Sequence, residues 1–366
     1  MVQKKHLVLS AVNFTEGGPL TVLRDCLSEA KKILLPDWKI TVLVHDTKLI
    51  DVAGVNAIAF PEVKKKWSRR LIFEWFFLNK FSKDMNVDLW ISLHDITPRV
   101  HAKKSVVYCH NPTPFYKLRL QDFIHSRVLV AQRLFYGYLY GINIRRNDFV
   151  VVQQDWLRRA FQERYGVHNV IVAYPHSKHV IGETTSREVT DNKVKKFFFP
   201  ALPRTFKNLD ILFEACSILQ LRNINNFEIN LTTTEDENHY INSLYRKYPK
   251  LTCIKFLGRL SFDHVMEQYN KSDALLFPSK LETWGLPISE AKSLGLPIIC
   301  VDLPYARETS GNYNNVQFCN ADNAADWVEK MLSIIENNWI PLSVRQEKPE
   351  TPFFDGWSGL LKFLVK

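Results

Sequence analysis

The chain has 366 residues, 46% of them hydrophobic and 23% charged, which suits two folded domains of ordinary size. No apolar run reaches the ~18–20 residues that a membrane span needs. The six cysteines (Cys26, Cys109, Cys216, Cys253, Cys300, Cys319) form no CxxC pair and no His/Cys cluster, which argues against a zinc site or a disulfide framework.

Charge is distributed unevenly. Up to Pro175 there are 26 Lys+Arg against 15 Asp+Glu, and from His176 onward 22 against 23, so the first half carries the whole excess of the formal +10. A basic half attracts an anionic partner: an anionic lipid surface, a polyphosphate-bearing substrate or nucleic acid. No recognised nucleic-acid-binding motif accompanies it, so no nucleic-acid partner is expected.

The opening MVQKKHLVLSAVNF has two lysines before a short apolar stretch, as a signal peptide would. It lacks a small-residue cleavage site and runs into Glu16-Gly17-Gly18, so it reads as a first buried strand. A cytoplasmic protein is expected. Strand-like runs then alternate with helical patterns: LVLSAVNF (7–14), a helix over 19–34, ITVLVHD (40–46), VDLWISL (87–93), SVVYCH (105–110), NDFVVVQQ (147–154) and a helix over 155–165. The second half repeats the scheme with KKFFFPA (195–201), a helix over 207–221, FEINLTT (227–233), TCIKFLG (252–258), a helix over 262–271, ALLFPS (274–279), a helix over 287–294 and PIICVD (297–302). Alternation of this kind predicts α/β domains built on mostly parallel sheets. Tyr174-Pro175 interrupts the pattern, giving an N-terminal domain over 1–175 and a C-terminal domain over 176–350. Residues 351–366 read as an amphipathic helix that packs on its own half or crosses back to the first.

In VKKKWSRRLIFEWFFLNKFSK (63–83), cations precede bulky aromatics, and Trp67, Leu71, Trp75 and Leu78 recur at helical spacing. Two readings stay open: a helix lying on an anionic membrane surface, or a core-facing helix with a solvated basic flank. A second basic-aromatic stretch spans 115–146.

Ligands of open α/β sheets bind beyond the carboxyl ends of the strands, which directs attention to FPSKLETWGLPISEAKSLGLPIICVD (277–302). It reads as a buried strand, a loop carrying Glu282, and a helix that starts near Pro287 and stops at Gly295. The helix N-terminus after Thr283-Trp284-Gly285-Leu286 offers unpaired N–H groups and a positive dipole end to anionic or hydroxyl-rich groups. Glu290, in the first turn, suits a pair of ribose hydroxyls.

The context PS-x-x-E-x-x-G-L-P-x-x-E-A-x-x-x-G-x-P resembles the E-x7-E element of family-4 glycosyltransferases. The resemblance implies a GT-B fold, two Rossmann-like domains facing across a cleft, and a retaining hexosyltransferase that uses a nucleotide-sugar donor without metal or cofactor. It also implies that Glu282 contacts the transferred sugar, the backbone from Thr283 to Leu286 holds sugar hydroxyls and phosphate, and Glu290 grips the ribose. FFFPALPRTFKNLDILFEACSIL (197–219) resembles the strand–loop–helix that supplies the family's basic pair, here Arg204 and Lys207. The spacing between them is shorter than usual, and no glycine precedes the arginine. Such fixed cations take up the charge that develops on a diphosphate leaving group. His110, after SVVYC, stands where the family has a histidine that contacts the sugar.

Gly17 and Gly18 follow the first strand and allow close backbone approach to donor phosphate or acceptor. FLGRLS (256–261) resembles the loop bordering the base, with Gly258 and Arg259, and Glu308 falls near the donor. The acceptor implied is a glycan, lipid-diphosphate-linked, in assembly of O-antigen or capsule, with the enzyme peripheral at the inner face of the cytoplasmic membrane. Rival readings are a nucleotide-sugar epimerase on the same fold, a phosphorylase, and a basic non-catalytic binding protein. The dinucleotide fingerprint GxGxxG and the DxD metal clamp are absent.

Overall fold

The computed structural model describes residues 4–175, 194–342 and 346–366. The strands are β1 (Lys5–Ala11), β2 (Trp38–Val44), β3 (Asn56–Ala59), β4 (Val87–Ser92), β5 (Ala102–Cys109), β6 (Phe149–Val152) and β7 (Val170–Tyr174), then β8 (Lys195–Phe199), β9 (Phe227–Leu231), β10 (Ile254–Phe256), β11 (Ala274–Phe277), β12 (Ile298–Val301), β13 (Val316–Cys319) and β14 (Phe353–Asp355). The principal helices are α1 (Gly17–Leu34), α2 (Trp67–Ile72), α3 (Leu78–Ser82), α4 (Leu120–His125), α5 (Arg127–Leu139), α6 (Asp155–Tyr165) and α7 (Leu209–Leu221). They continue with α8 (His239–Lys247), α9 (Phe262–Lys271), α10 (Leu286–Ser293), α11 (Pro304–Ser310), α12 (Ala324–Ile335) and α13 (Trp357–Leu364).

The chain forms two compact units. The first runs to Phe115, resumes at Gln132 and takes in Pro349–Lys366; the second takes Tyr116–Ala131 and the chain up to Lys348. The boundary expected at 175 thus misses an exchange. Residues 116–131 precede it in sequence but group with the second unit, held there by an apolar cluster of Tyr116, Leu129 and Leu281 with Leu118 and Phe206 against it. The junction expected around 173–178 runs into residues outside those described.

The first unit is built on one parallel sheet of eight strands, in the order β14-β7-β6-β5-β4-β1-β2-β3. The strand order reverses between β1 and β4. Both faces are covered, which is why the strands read as nearly continuous apolar runs. Leu7, Leu9 and Ala11 pack with residues of α1 and α13, whereas Val8 and Val12 pack with Phe73, Leu78 and Trp90.

The tail is not one helix over 351–366: Phe353–Asp355 add an edge strand to β7 before α13 begins. Arg158 donates to the carbonyls of Glu350 and Pro352 at 2.7 Å each, and Lys104 donates to that of Leu364, also at 2.7 Å.

The apolar stripe expected at Trp67, Leu71, Trp75 and Leu78 is also corrected. One π turn (Phe73–Phe77) joins α2 to α3 and shifts the helical register, so that Arg70, Phe73, Glu74, Leu78 and Ser82 are buried. Trp67 is exposed, as are Ile72, Phe76 and Phe77.

The second unit has a six-stranded parallel sheet in the order β10-β9-β8-β11-β12-β13. That is the dinucleotide-fold order 3-2-1-4-5-6, with its switch point between β8 and β11. The Phe197–Phe199 run and the Leu275–Phe277 run are fully buried at this centre, with the Phe199 and Phe277 rings edge to face at 5.7 Å.

Candidate active site

The loops leaving β8 and β11 carry most of the expected donor residues. After β8 the chain makes a short 3-10 turn (Thr205–Lys207) and enters α7 through Asn208, whose φ of 58° lies in the left-handed region that asparagine tolerates. This turn brings the Lys207 ammonium against the Glu282 carboxylate in an ion pair, with both side chains less than one-fifth exposed. The ammonium also lies 5.7 Å from the Phe206 ring and 5.8 Å from the Phe277 ring. Aromatic faces on two sides favour a cation and limit where it can move. The Lys280 N–H donates to the Phe206 carbonyl at 2.7 Å, stitching the two loops together beneath the pair. Arg204, by contrast, projects into solvent. The structure therefore brings Lys207 and Glu282 together but leaves Arg204 outside the pair.

Arg119, which the sequence reading did not single out, fixes the Lys207 loop. Its guanidinium donates to the Thr205 carbonyl at 2.6 Å and to Asn208 Oδ1 at 3.0 Å, and it lies 3.5 Å from Asp210. A planar fork of this kind engages several acceptors at once, which lysine cannot.

Beyond Glu282 the turn is set by Gly285, at φ 83° and ψ 60°. A Cβ there would lie 3.3 Å from ring atoms of both Phe277 and Tyr305, so space as well as backbone geometry selects glycine. α11 buttresses the turn: Tyr305 donates to the Ser279 carbonyl and Thr309 to that of Trp284. Trp284 Nε1 donates to Ser289 Oγ at 2.9 Å, while Thr283 is half-buried and Leu286 exposed. Glu308 sits buried on α11.

Glu290 lies on α10 and accepts a 2.8 Å hydrogen bond from the hydroxyl of Tyr269, itself fully buried. Burial raises the Glu290 carboxyl above the ordinary range, and the tyrosine's hydrogen bond pulls in the opposite direction. Gly258, at φ 70°, follows edge strand β10 and donates to the Thr233 carbonyl at 3.1 Å. Arg259 beside it pairs with Glu237 at 3.1 Å.

In the first unit, Gly17 begins α1 at φ 64°, and a Cβ at either Gly17 or Gly18 would meet nothing within 4 Å among the described residues. Backbone conformation requires the first glycine, and open space surrounds both. The same loop delivers Phe14 edge-on to the His110 ring at 5.1 Å, which brings the glycine loop and the histidine together. His110 follows β5, the strand next to β4. Asp95, after β4 at φ 72°, accepts from the His110 and Asn111 N–H groups at 2.8 and 3.1 Å and from the Tyr140 hydroxyl at 2.8 Å.

A fully buried polar group lies beneath this loop. Ser10 Oγ lies 3.0 Å from His94 Nε2, Glu74 Oε1 lies 3.3 Å from His94 Nδ1, and Arg70 donates to the His94 carbonyl at 2.6 Å.

Two parallel sheets, each with its loops gathered at the strands' carboxyl ends, have the architecture of the GT-B fold. Residues 182–350 match the family model described as glycosyl transferases group 1, so the chain carries a group 1 glycosyltransferase domain over that stretch. It is 21% identical over 263 residues to the O-antigen chain mannosyltransferase RfbU of Salmonella typhimurium, covering 71% of this chain and 68% of that protein. It is 32% identical over 123 residues to the serotype-specific mannosyltransferase WbdA of Escherichia coli, a match that covers 33% of this chain and 14% of that much longer one. Among solved structures, WaaG, a glycosyltransferase involved in lipopolysaccharide biosynthesis, superposes with a TM-score of 0.62 over 90% of each chain at 14% identity, a likeness of fold.

Proposed function

We propose that this glycosyltransferase moves a hexose, mannose by analogy with the named relatives, from a nucleotide-sugar donor to a lipid-diphosphate-linked glycan of a surface polysaccharide, with retention and without metal. The observation that carries the reading is the Lys207–Glu282 pair, beside the Phe206 and Phe277 rings at the switch point of the second sheet. A diphosphate arriving there draws on the Lys207 ammonium, and Glu282 is then released towards the hydroxyls of the sugar. As the bond from anomeric carbon to phosphate oxygen breaks, the leaving diphosphate gains charge, which Lys207 and the α10 N-terminus stabilise. Glu290 takes the ribose hydroxyls, exchanging its bond from Tyr269 for theirs. The acceptor hydroxyl attacks from the leaving-group face and its proton passes to the departing phosphate oxygen.

A membrane-bound acceptor is supported by the surface of the first unit. Ile72, Phe76 and Phe77 are exposed on the α2–α3 helix among Lys64, Lys65, Lys66, Arg69 and Lys80. Trp67 packs edge to face on Phe135 and Tyr136, so α5 continues the patch with Leu134, Phe135 and Tyr138. Exposed aromatics and aliphatics ringed by cations suit an anionic bilayer surface. No helix among the described residues is long and apolar enough to cross a membrane.

Flotation with phosphatidylglycerol-containing vesicles tests this part. The wild type should float with them, and the double variant Ile72→Glu, Phe76→Glu should remain in the dense fraction. Equal behaviour of the two, or indifference to lipid charge, would remove the membrane from the account.

A further inference from the structure

The carboxylate of Asp95 converges on His110 in a way that the proposed sugar contact does not by itself require. We propose that Asp95 is a positioning residue that holds His110 in the tautomer protonated at Nδ1, leaving the Nε2 lone pair to accept a hydrogen bond from a sugar hydroxyl. The inference rests on the reading that His110 touches the sugar.

The geometry is local to the first unit. Asp95 is buried, and its Oδ1 lies 3.5 Å from His110 Nδ1 while accepting from the His110 N–H, the Asn111 N–H and the Tyr140 hydroxyl. Three donors on one oxygen hold the carboxylate in place. Nδ1 is itself buried with no hydrogen-bond partner among the described residues, and the carboxylate oxygen is the acceptor beside it. The separation exceeds an ordinary hydrogen bond of ~2.7–3.2 Å, and a small rotation of the ring closes it. Active-site hydrogen bonds commonly tighten in this way once substrate is bound.

A proton on Nδ1 satisfies both atoms, whereas a proton on Nε2 would set two lone-pair-bearing atoms against each other in a buried place. The Phe14 ring restricts the imidazole from another side. The loop carrying Asp95 is anchored in turn: Arg70 donates to the His94 carbonyl at 2.6 Å, and the His94 ring lies 3.0 Å from Ser10 Oγ. These bonds hold Asp95 at its positive φ of 72°, an uncommon conformation for a residue other than glycine.

The consequence is a site that selects by hydrogen-bond polarity. A neutral imidazole presenting a lone pair takes a hydroxyl donor. A sugar lacking a hydroxyl there leaves Nε2 unpaired, a loss that costs a site of this type far more than a missing methylene does.

The test reads the tautomer directly. Protein labelled with 15N-histidine is examined by long-range 1H–15N correlation in mildly alkaline buffer, the His110 signals being assigned from their loss in His110→Gln. The expected wild-type pattern is a protonated Nδ1 and an unprotonated Nε2. In Asp95→Ala the balance should move towards the Nε2–H form that neutral histidine prefers in water. Because the wild type alone decides the first point, a misfolded Asp95→Ala does not spare the proposal: a wild-type Nε2–H pattern overturns it. So does an unchanged tautomer in a folded Asp95→Ala.

Sugar transfer to a membrane lipid extract from whichever radiolabelled nucleotide sugar stabilises the wild type against thermal unfolding, measured for His110→Gln, separates this inference from the reading beneath it. Normal turnover in that variant together with an Nδ1–H wild type overturns the sugar contact and leaves the tautomer assignment. Lost turnover with an Nε2–H wild type overturns the assignment alone. With both intact, Asp95→Asn should lower kcat by about 10-fold or more and change KM little, short of the ~10⁴ seen where such an aspartate supports proton transfer.

Discussion

Replacing Lys207 with alanine removes the cation that the account places on the leaving diphosphate. The side chain is less than one-fifth exposed and its ammonium lies 5.7 and 5.8 Å from two aromatic rings, so bulk water cannot fully take its place. Removing a fixed electrostatic contact from a partly dry site costs turnover ~10²–10³-fold, or about 3–4 kcal/mol of barrier. A second effect has to be separated from the first. Glu282 is left half-buried without its partner, and residues in direct contact couple by ~0.5–3 kcal/mol. The assay is therefore a double-mutant cycle of Lys207→Ala and Glu282→Gln, with kcat and KM for sugar transfer and a melting temperature for each variant. The double variant should lose less than the sum of the single losses. A folded Lys207→Ala enzyme turning over within about 3-fold of wild type would refute the reasoning, whatever Glu282 does.

Two further substitutions follow from geometry. Gly285→Ala forces a left-handed alanine, at ~1–2 kcal/mol, and drives a Cβ to 3.3 Å from Phe277 and Tyr305. It should lower the melting temperature by several degrees, whereas Gly18→Ala, with open space about its Cβ, should leave it unchanged; equal shifts would contradict this. Glu74 is fully buried, and burial pushes its carboxyl from 4.5 up to about 8, with Arg70 opposing. Because the folded value is the higher one, its contribution to stability is complete below 4.5 and fades as pH rises through about 8. In that window one such group costs about 1.4 kcal/mol per pH unit. Between pH 5 and 7 the wild type should lose roughly 2–3 kcal/mol more than Glu74→Gln in urea denaturation; parallel losses would contradict this.

The donor half was the more legible in sequence, for a physical reason. Glu282, Gly285 and Glu290 lie on one strand–loop–helix segment, where local turn chemistry and helix signals fix their placement. Lys207 was legible because the 3-10 turn and α7 start follow β8 directly. What escaped is tertiary. Arg119 is far in sequence from the loop it clamps, and nothing in YKLRLQD (116–122) announces that this stretch joins the second unit.

Asp95 and Tyr269 act through single hydrogen bonds, or a few, that no periodicity encodes. The 63–83 helix departs from the stripe expected at Trp67, Leu71, Trp75 and Leu78 because its π turn rotates the buried face, so that Glu74 is buried and Trp67 exposed. The edge strands β3, β13 and β14 are three or four residues long, too short to stand out as alternating or apolar runs. The tail reads as one helix in sequence because Phe353 and Phe354 fit an amphipathic pattern as well as a strand.

The most direct test of the central claim is a thermal-shift panel of UDP-, GDP-, ADP- and CMP-sugars and their free diphosphates, run in EDTA and again with Mg²⁺. Stabilisation by one nucleotide family is expected, equal in both conditions and lost in Glu290→Ala. No stabilisation by any of them, or stabilisation that appears only with Mg²⁺, would contradict a metal-independent nucleotide-sugar site in the second unit.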